Sequence, residues 1–377
     1  MVERERVSRR KFLGTSVGAA SVVLSGSRSL KAAEAGDDLR CGVIGLGNRG
    51  KVVLSAIDRS PSVRVAALCD IHAGRLNEAA GLVEQDKPKL FDDYRKLLDH
   101  PELDAVFVET PCYLHKEMMV AVLQSGRHCY GEKPMALNIP DLDEMVRVVN
   151  ATQKVFQIGT QLRYAHPWQS AVKAIHAGRI GKPVMIRGHR YIAGDLPHDC
   201  KWLFDAKLSG DTIVEQAIHE LDIFNWIFKG LPERAAGFGG QAVHFEPPGR
   251  NIMDHYTLSL DYGKNKKVSY AHTFLSAPGA PVNGRGQIVS GAKGVIDVEK
   301  GKFYPRSKNK PTDLDPAVAI GHSNDMAIND FFRCVRENKK PLANVETARN
   351  CALTALLGRK AIYEKRVVTM KALLAEG

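Results

Sequence analysis

The sequence predicts an α/β protein: an open parallel sheet with helices on both faces, then a second α+β domain built on a large, mostly antiparallel sheet. Three observations predict it. Between about residues 39 and 158, short apolar runs alternate with helical stretches, the pattern that buries a parallel sheet between two helical layers. A glycine-rich turn, an acidic residue and two proline-containing turns fall at the ends of those runs, where ligands of such sheets gather. After about residue 160 the texture changes to extended segments punctuated by Gly, Pro, Asn and Lys, as in an antiparallel sheet with one free face.

Bulk properties narrow the class. The 377 residues suffice for two domains with sizeable cores. Apolar content of 44% and charged content of 25% are those of a globular chain. The net charge is +11, but residues 1–35 carry seven Lys/Arg against three Asp/Glu, and the rest of the excess is spread along the chain. It reads as a solvated basic surface, with no nucleic-acid partner expected. The seven cysteines form no C-x-x-C pair, and an odd count without framework spacing argues against a disulfide scaffold.

Residues 1–35 read as an address. Ser8-Arg9-Arg10-Lys11-Phe12-Leu13 is a twin-arginine pattern, and the apolar stretch over 12–24 is too short and too rich in Gly and Ser to span a bilayer. Ala33-Glu34-Ala35 offers a small-x-small cleavage site. A twin-arginine signal implies export of an already folded protein to a periplasmic or other extracytoplasmic space. No stable membrane insertion is expected after cleavage.

The first domain is placed at 38–160. Its strand candidates are 41–44, 63–68, 105–108, 128–130 and 155–158, with helices at 51–58, 73–83, 94–98, 114–124 and 141–149. The first strand runs into Gly45-Leu46-Gly47-Asn48-Arg49-Gly50. Gly45 permits the tight turn, Gly47 leaves room for a pyrophosphate, and Gly50 lets the helix pack close to the strand. The helix start around Asn48 and Arg49 presents free N–H groups and a positive dipole end, which suits a diphosphate. Asp70 follows Gly50 by twenty residues, at the end of the next apolar run. A carboxylate there accepts both ribose hydroxyls and repels a 2′-phosphate, so NAD is expected in preference to NADP. Thr110-Pro111 and Glu132-Lys133-Pro134 fall at later strand ends.

The second domain is placed at 161–345. A helix at 168–177 and a turn at 178–183 lead into extended runs at 184–191, 235–245, 255–260, 267–274, 286–290 and 294–297. Residues 301–321 are polar and Pro-rich and read as a loop. Helices follow near 324–337 and 345–363, and residues 346–377 are expected to pack back as a C-terminal helix.

Several residues bear chemistry. Lys133 stands at a strand end, where an ammonium can hydrogen-bond a sugar hydroxyl and assist proton movement, although a lone Lys is also an ordinary surface residue. Glu132 can orient it or contact a ribose. In the run 215–222, Glu215, His219 and Asp222 lie at i, i+4 and i+7, so one helix would carry all three on one face. A His with a carboxylate one turn away is a natural general base; it is equally a structural His on a helix. Tyr191, His198 and Trp202 can line a carbohydrate pocket, since aromatic faces stack on the C–H face of a pyranose, or can simply pack. His198, Cys200, Glu215 and His219 lack the usual ligand-pair spacing, so no metal is expected.

These motifs together carry a resemblance. GLGNRG at 45–50, CDI at 69–71, TPCYLH at 110–115, GEKPMALN at 131–138, GRIGKP at 178–183 and EQAIHELD at 215–222 resemble the Gfo/Idh/MocA oxidoreductases, over nearly everything after residue 38. The resemblance implies a nicotinamide-binding Rossmann domain, and a substrate domain whose sheet forms homo-oligomer contacts. It raises Lys133 and His219 to catalytic candidates, with Glu215 where the family commonly has Asp. Arg163 and Tyr164 then fall near nicotinamide and substrate, and His115 positions the cofactor or caps the helix after it.

The expected reaction is hydride transfer from a sugar, glycoside or cyclitol hydroxyl carbon, with His219, helped by Glu215 and Lys133, taking the hydroxyl proton. Free NAD is scarce outside the cytoplasm, so an exported protein would hold its NAD tightly and reset it within one cycle. An NAD-dependent glycosidase, working by transient oxidation, elimination, hydration and reduction, is the alternative. Its known forms carry a His-Gly-rich motif where this chain has Ile-His-Glu-Leu-Asp. A non-catalytic cofactor- or sugar-binding protein is the third reading.

Overall fold

The structure, a computed structural model, describes residues 38–314 and 322–376. The twin-arginine pattern and the cleavage site lie outside the described residues.

Six parallel strands make the first sheet: β1 (Leu39–Ile44), β2 (Val63–Cys69), β3 (Lys89–Phe91), β4 (Ala105–Val108), β5 (His128–Gly131) and β6 (Phe156–Ile158). Their order is β3-β2-β1-β4-β5-β6. The direction of winding reverses between β1 and β4, and a crevice opens there at the carboxyl ends of the strands. All of β4 and residues 41–44 of β1 are buried. They are continuous apolar runs because helices cover both faces. β3 has no counterpart among the sequence expectations: three residues at a sheet edge, none of them buried, give too short and too exposed an apolar signal.

The second sheet has nine strands: β7 (Pro183–Tyr191), β8 (Arg234–Gly240), β9 (His255–Asp261), β10 (Lys267–Thr273), β11 (Gly284–Gly291), β12 (Gly294–Asp297), β13 (Lys302–Pro305), β14 (Thr312–Asp313) and β15 (Val368–Thr369). Their order is β14-β13-β12-β11-β7-β10-β9-β8-β15, antiparallel except where β7 meets β10. β8 ends at Gly240, short of the predicted 245, and β13 and β14 occupy part of the predicted loop. Along β9, buried Tyr256, Leu258 and Leu260 alternate with exposed Thr257 and Ser259. The buried row faces the helices Ile218–Phe228 and Val345–Tyr363, as the edge-to-face contact of Phe224 with Tyr270 shows. The other row lies on an open face.

The domain boundary at 345 needs correction. The helix Ser323–Glu337 packs on the first sheet: Phe331 meets Phe107 and Tyr130 edge-on, Phe332 touches Phe107, and Asp325 pairs with Arg59. The sequence boundary followed a change from extended to helical texture. The structure follows the apolar face, which returns to the first core well before residue 345.

Candidate active site

The crevice begins at the glycine turn. Gly45 has φ +91°, and a Cβ on it would lie 2.8 Å from the Glu109 carbonyl, so strand β4 approaches too closely for any side chain. A Cβ on Gly50 would lie 2.0 Å from the Gly45 oxygen. Gly47 differs: its nearest neighbour would be Arg75 Nη1 at 4.0 Å, so the space above it is free. The helix Asn48–Asp58 starts at Gly47 with no side-chain cap, leaving its first N–H groups without partners. That cradle fits a diphosphate. Asp70 is buried at the end of β2; its carboxylate accepts the N–H of Leu46 at 2.7 Å and of His72 at 2.8 Å, fixing the turn while each oxygen keeps a lone pair for a ribose.

His115 is buried, with its ring nitrogens 2.7 Å from the carbonyl oxygens of Thr110 and Pro134. It does not cap the helix it begins; it ties together the two loops that follow β4 and β5. Pro111 bends the first of these, and the Lys133–Pro134 bond in the second is cis. Between the loops lies a cluster of which the sequence pointed to Arg49 and Glu132 but not to Glu109 and Gln161. Arg49 Nε donates to Glu132 at 2.8 Å and lies 3.9 Å from Glu109, while Gln161 donates to Glu132 at 2.7 Å. Both Glu109 carboxyl oxygens are buried without a hydrogen-bond partner, as is Thr110 Oγ1. Burial, and then the charge of Glu132, push the Glu109 carboxyl well above the usual carboxylate range. An acidic residue ending an otherwise apolar strand was the available signal.

Lys133 reaches across from the first domain to the segment of the second that carries His219. The Lys133 ammonium donates to the Glu215 carbonyl at 2.5 Å and to its carboxylate, whose other oxygen takes the Gln216 amide. Glu215 therefore orients Lys133, not His219. The single-helix expectation for 215–222 fails, because the chain breaks after the short helix Thr212–Glu215 and restarts at Ile218. His219 is half-buried, and its Nδ1 is sealed without a partner. Burial, and then the charges of Lys133, Arg190, Arg285 and Arg49, hold the imidazole well below its ordinary pKa, so it is neutral and able to accept a proton.

The six substrate candidates lie elsewhere. Arg163 and Asp222 bind each other through two hydrogen bonds of 2.6 and 2.7 Å, both buried, with Arg163 Cζ also 5.0 Å from the Trp226 ring. Neither is free for a substrate. The Tyr164 hydroxyl accepts the Ala343 N–H, so it faces the chain's return to the first core. Tyr191 packs at a tilt against His189 on the open face of the second sheet; strand alternation turns its neighbour Arg190 to the helix-covered face instead, where it donates to the Gln216 carbonyl. His198 sits exposed on a loop beside Asp195, 3.0 Å away, and Trp202 packs against Leu196, Leu203 and Phe204. Among the described residues no group of three or more His, Cys, Asp or Glu is gathered as for a metal.

Comparison with known proteins matches both halves. Residues 39–160 match the oxidoreductase family with an NAD-binding Rossmann fold, and residues 168–297 match the Gfo/Idh/MocA C-terminal domain. The inositol 2-dehydrogenase of Salmonella typhimurium is 30% identical over 194 residues, 50% of this chain and 54% of that protein. The 2,7-anhydro-N-acetylneuraminate hydratase of Mediterraneibacter gnavus is 28% identical over 224 residues, 59% of this chain and 58% of that protein. The chain thus spans little more than half the length of these relatives. The scyllo-inositol dehydrogenase of Lactobacillus casei, solved with NAD(H) and scyllo-inositol, shares the fold at 17% identity, with a TM-score of 0.75 over 88% of this chain and 99% of that one. Through both of its domains, the chain belongs to the Gfo/Idh/MocA family of oxidoreductases, built on an NAD-binding Rossmann fold.

Proposed function

We propose that the protein is an NAD-dependent oxidoreductase acting on a hydroxyl-bearing carbon of a sugar or cyclitol. The observation that carries this reading is that Lys133, from the loop after β5, is held by Glu215, four residues before His219, in a chain whose Gly47 turn leaves an open cradle. Bound NAD would supply a hydride acceptor. Gly47 and the first turn of the helix Asn48–Asp58 would hold its diphosphate, and Asp70 its adenosine ribose. The Lys133 ammonium, fixed by Glu215, would donate to the substrate hydroxyl oxygen and pull its charge toward the anion. His219 would accept the hydroxyl proton through Nε2, since Nδ1 is sealed. Similarity to a dehydrogenase of inositol supports a polyhydroxy substrate.

The twin-arginine pattern supports export, and export favours cofactor held tightly through the cycle. The open face of the second sheet, with Phe238 76% exposed on β8, supports a homo-oligomer formed there. Similarity to a hydratase of an anhydro sugar favours a second reading, cleavage or hydration by transient oxidation. The test adds sugars and cyclitols to the purified protein and follows bound nicotinamide at 340 nm. Lys133→Ala and His219→Ala should abolish the change while NAD is retained. Turnover unaltered in Lys133→Ala would refute the role given to Lys133, and NAD retained with no change at 340 nm for any polyol would leave only a cofactor-binding protein. Release of phenol from aryl glycosides without added cofactor would favour the hydrolytic reading.

A further inference from the structure

The second sheet brings more positive charge to the cleft than it neutralises. Arg190 on β7 and Arg285 on β11 are cross-strand partners, so both rise from the face covered by the helix Ile218–Phe228. Both reach Glu220 on that helix. Arg285 Nε donates to Oε1 at 2.6 Å, and Arg190 Nη1 lies 3.8 Å from Oε2. Arg190 is otherwise spent on Gln216, donating to its carbonyl at 2.9 Å and its side-chain oxygen at 2.5 Å. Lys133 already occupies Glu215. One buried carboxylate therefore serves two guanidiniums. The nearby Glu299 carboxyl accepts the Gln287 N–H at 2.6 Å and is pushed up to about 7 by burial, so it offsets the surplus only in part.

The surplus is accessible. The Arg285 side chain is 35% exposed, and beyond Nε its guanidinium has no protein partner among the described residues. Its two Nη groups form a fork of the spacing that grips a carboxylate. Glu220, which holds Arg285, directly follows His219 on the helix Ile218–Phe228, so the fork rises from the sheet against the turn of helix that carries the proposed base, and the charges of both arginines act on His219. A surplus of about one charge matches a carboxylate better than a phosphate dianion.

Resting on the oxidoreductase reading of the same cleft, we propose that Arg285, backed by Arg190, recognises a carboxylate on the substrate. The compound oxidised is then a uronate or related polyhydroxy acid, in preference to a neutral hexose or cyclitol.

The test titrates the NAD-loaded protein with D-glucuronate and D-galacturonate, and in parallel with D-glucose and D-galactose. Calorimetry reads binding and absorbance at 340 nm reads reduction. Half-saturation by a hexuronate should be lower by about tenfold or more than by its hexose, and the difference should shrink with added salt. Arg285→Gln should erase most of the preference and Arg285→Lys should restore part of it. The thermal midpoint and NAD content of each variant report whether it folds; if both variants fail to fold, the salt dependence of the native protein decides. Neutral sugars that bind as tightly as hexuronates, or a preference indifferent to salt, would overturn the proposal. Reduction by neutral sugars without hexuronate binding would overturn it while leaving the oxidoreductase reading intact. Hexuronate binding through Arg285 with no change at 340 nm would uphold the recognition site and count against hydride transfer.

Discussion

Two alanine substitutions three residues apart separate the fold from the cofactor. At Gly50 a methyl carbon would lie 2.0 Å from the Gly45 oxygen and 2.9 Å from its carbonyl carbon, where ordinary contacts begin near 3.4 Å. The overlap with that oxygen exceeds 1 Å and is against backbone, which cannot swing aside, so the helix Asn48–Asp58 must move off β1. Such overpacking costs about 1–3 kcal/mol, and more where backbone must shift. Gly50→Ala should therefore lower the thermal midpoint and lose NAD together. At Gly47 φ is −67°, which any residue adopts, and the nearest protein atom to a new methyl is 4.0 Å away. Gly47→Ala should change stability by no more than about 0.5 kcal/mol. The space it fills is that reserved for the diphosphate, so NAD affinity should fall by about tenfold or more, ~1.4 kcal/mol. Calorimetric melting and equilibrium titration with NAD measure the two effects. A Gly47→Ala protein that binds NAD like the native one would refute the placement of the diphosphate over this turn.

Three further outcomes follow from the geometry. Because burial and then Lys133, Arg190, Arg285 and Arg49 hold the His219 imidazole well below its ordinary pKa, kcat/KM should stay level as pH falls through 6.5 and drop only well below it; an acid limb centred at 6.5 would show that these surroundings do not hold it down, and an acid limb that persists in His219→Ala would contradict its role as base. Asp222→Ala leaves Arg163 buried and unpaired, and urea unfolding should show a loss of about 3–5 kcal/mol; a loss under about 1 kcal/mol would mean the pair is solvated. Glu109 binds its proton more tightly folded than unfolded, so its contribution is fully present below the ordinary carboxylate pKa of 4.5 and is lost as pH rises through the raised folded value. Glu109→Gln should therefore raise the thermal midpoint more at pH 8 than at pH 5, and an equal change at both would show the carboxyl titrating normally.

The first sheet was legible because its physics is local. Continuous apolar runs, a glycine turn and prolines at strand ends each mark their own position, and β1, β2, β4 and β5 lie where those marks put them. Lys133 was legible as a lysine at a predicted strand end and His219 as a histidine with acids one turn to either side, and the family resemblance raised both to catalytic candidates. What failed required knowledge of partners. Nothing in the run 215–222 announces that the helix breaks at Gln216 and Ala217, or that Glu215 turns to a lysine 82 residues earlier. Arg163 and Asp222 looked available because each is charged, and their mutual burial appears only when the helix Ile218–Phe228, which carries Asp222, packs against the turn at Gln161–Tyr164. The choice of Tyr191 over Arg190 was an error of one residue along a strand, which moves a side chain to the opposite face of the sheet. Arg285 and Glu220 were invisible because they become a cluster only through the pairing of β7 with β11.

The most direct measurement is the identity and amount of dinucleotide in the purified protein, read by native mass and by the absorbance of the material released on unfolding. One NAD per chain, kept through gel filtration and reduced in place by an oxidisable polyol, is the outcome the account predicts. Folded protein that neither carries nor takes up NAD or NADP would contradict it.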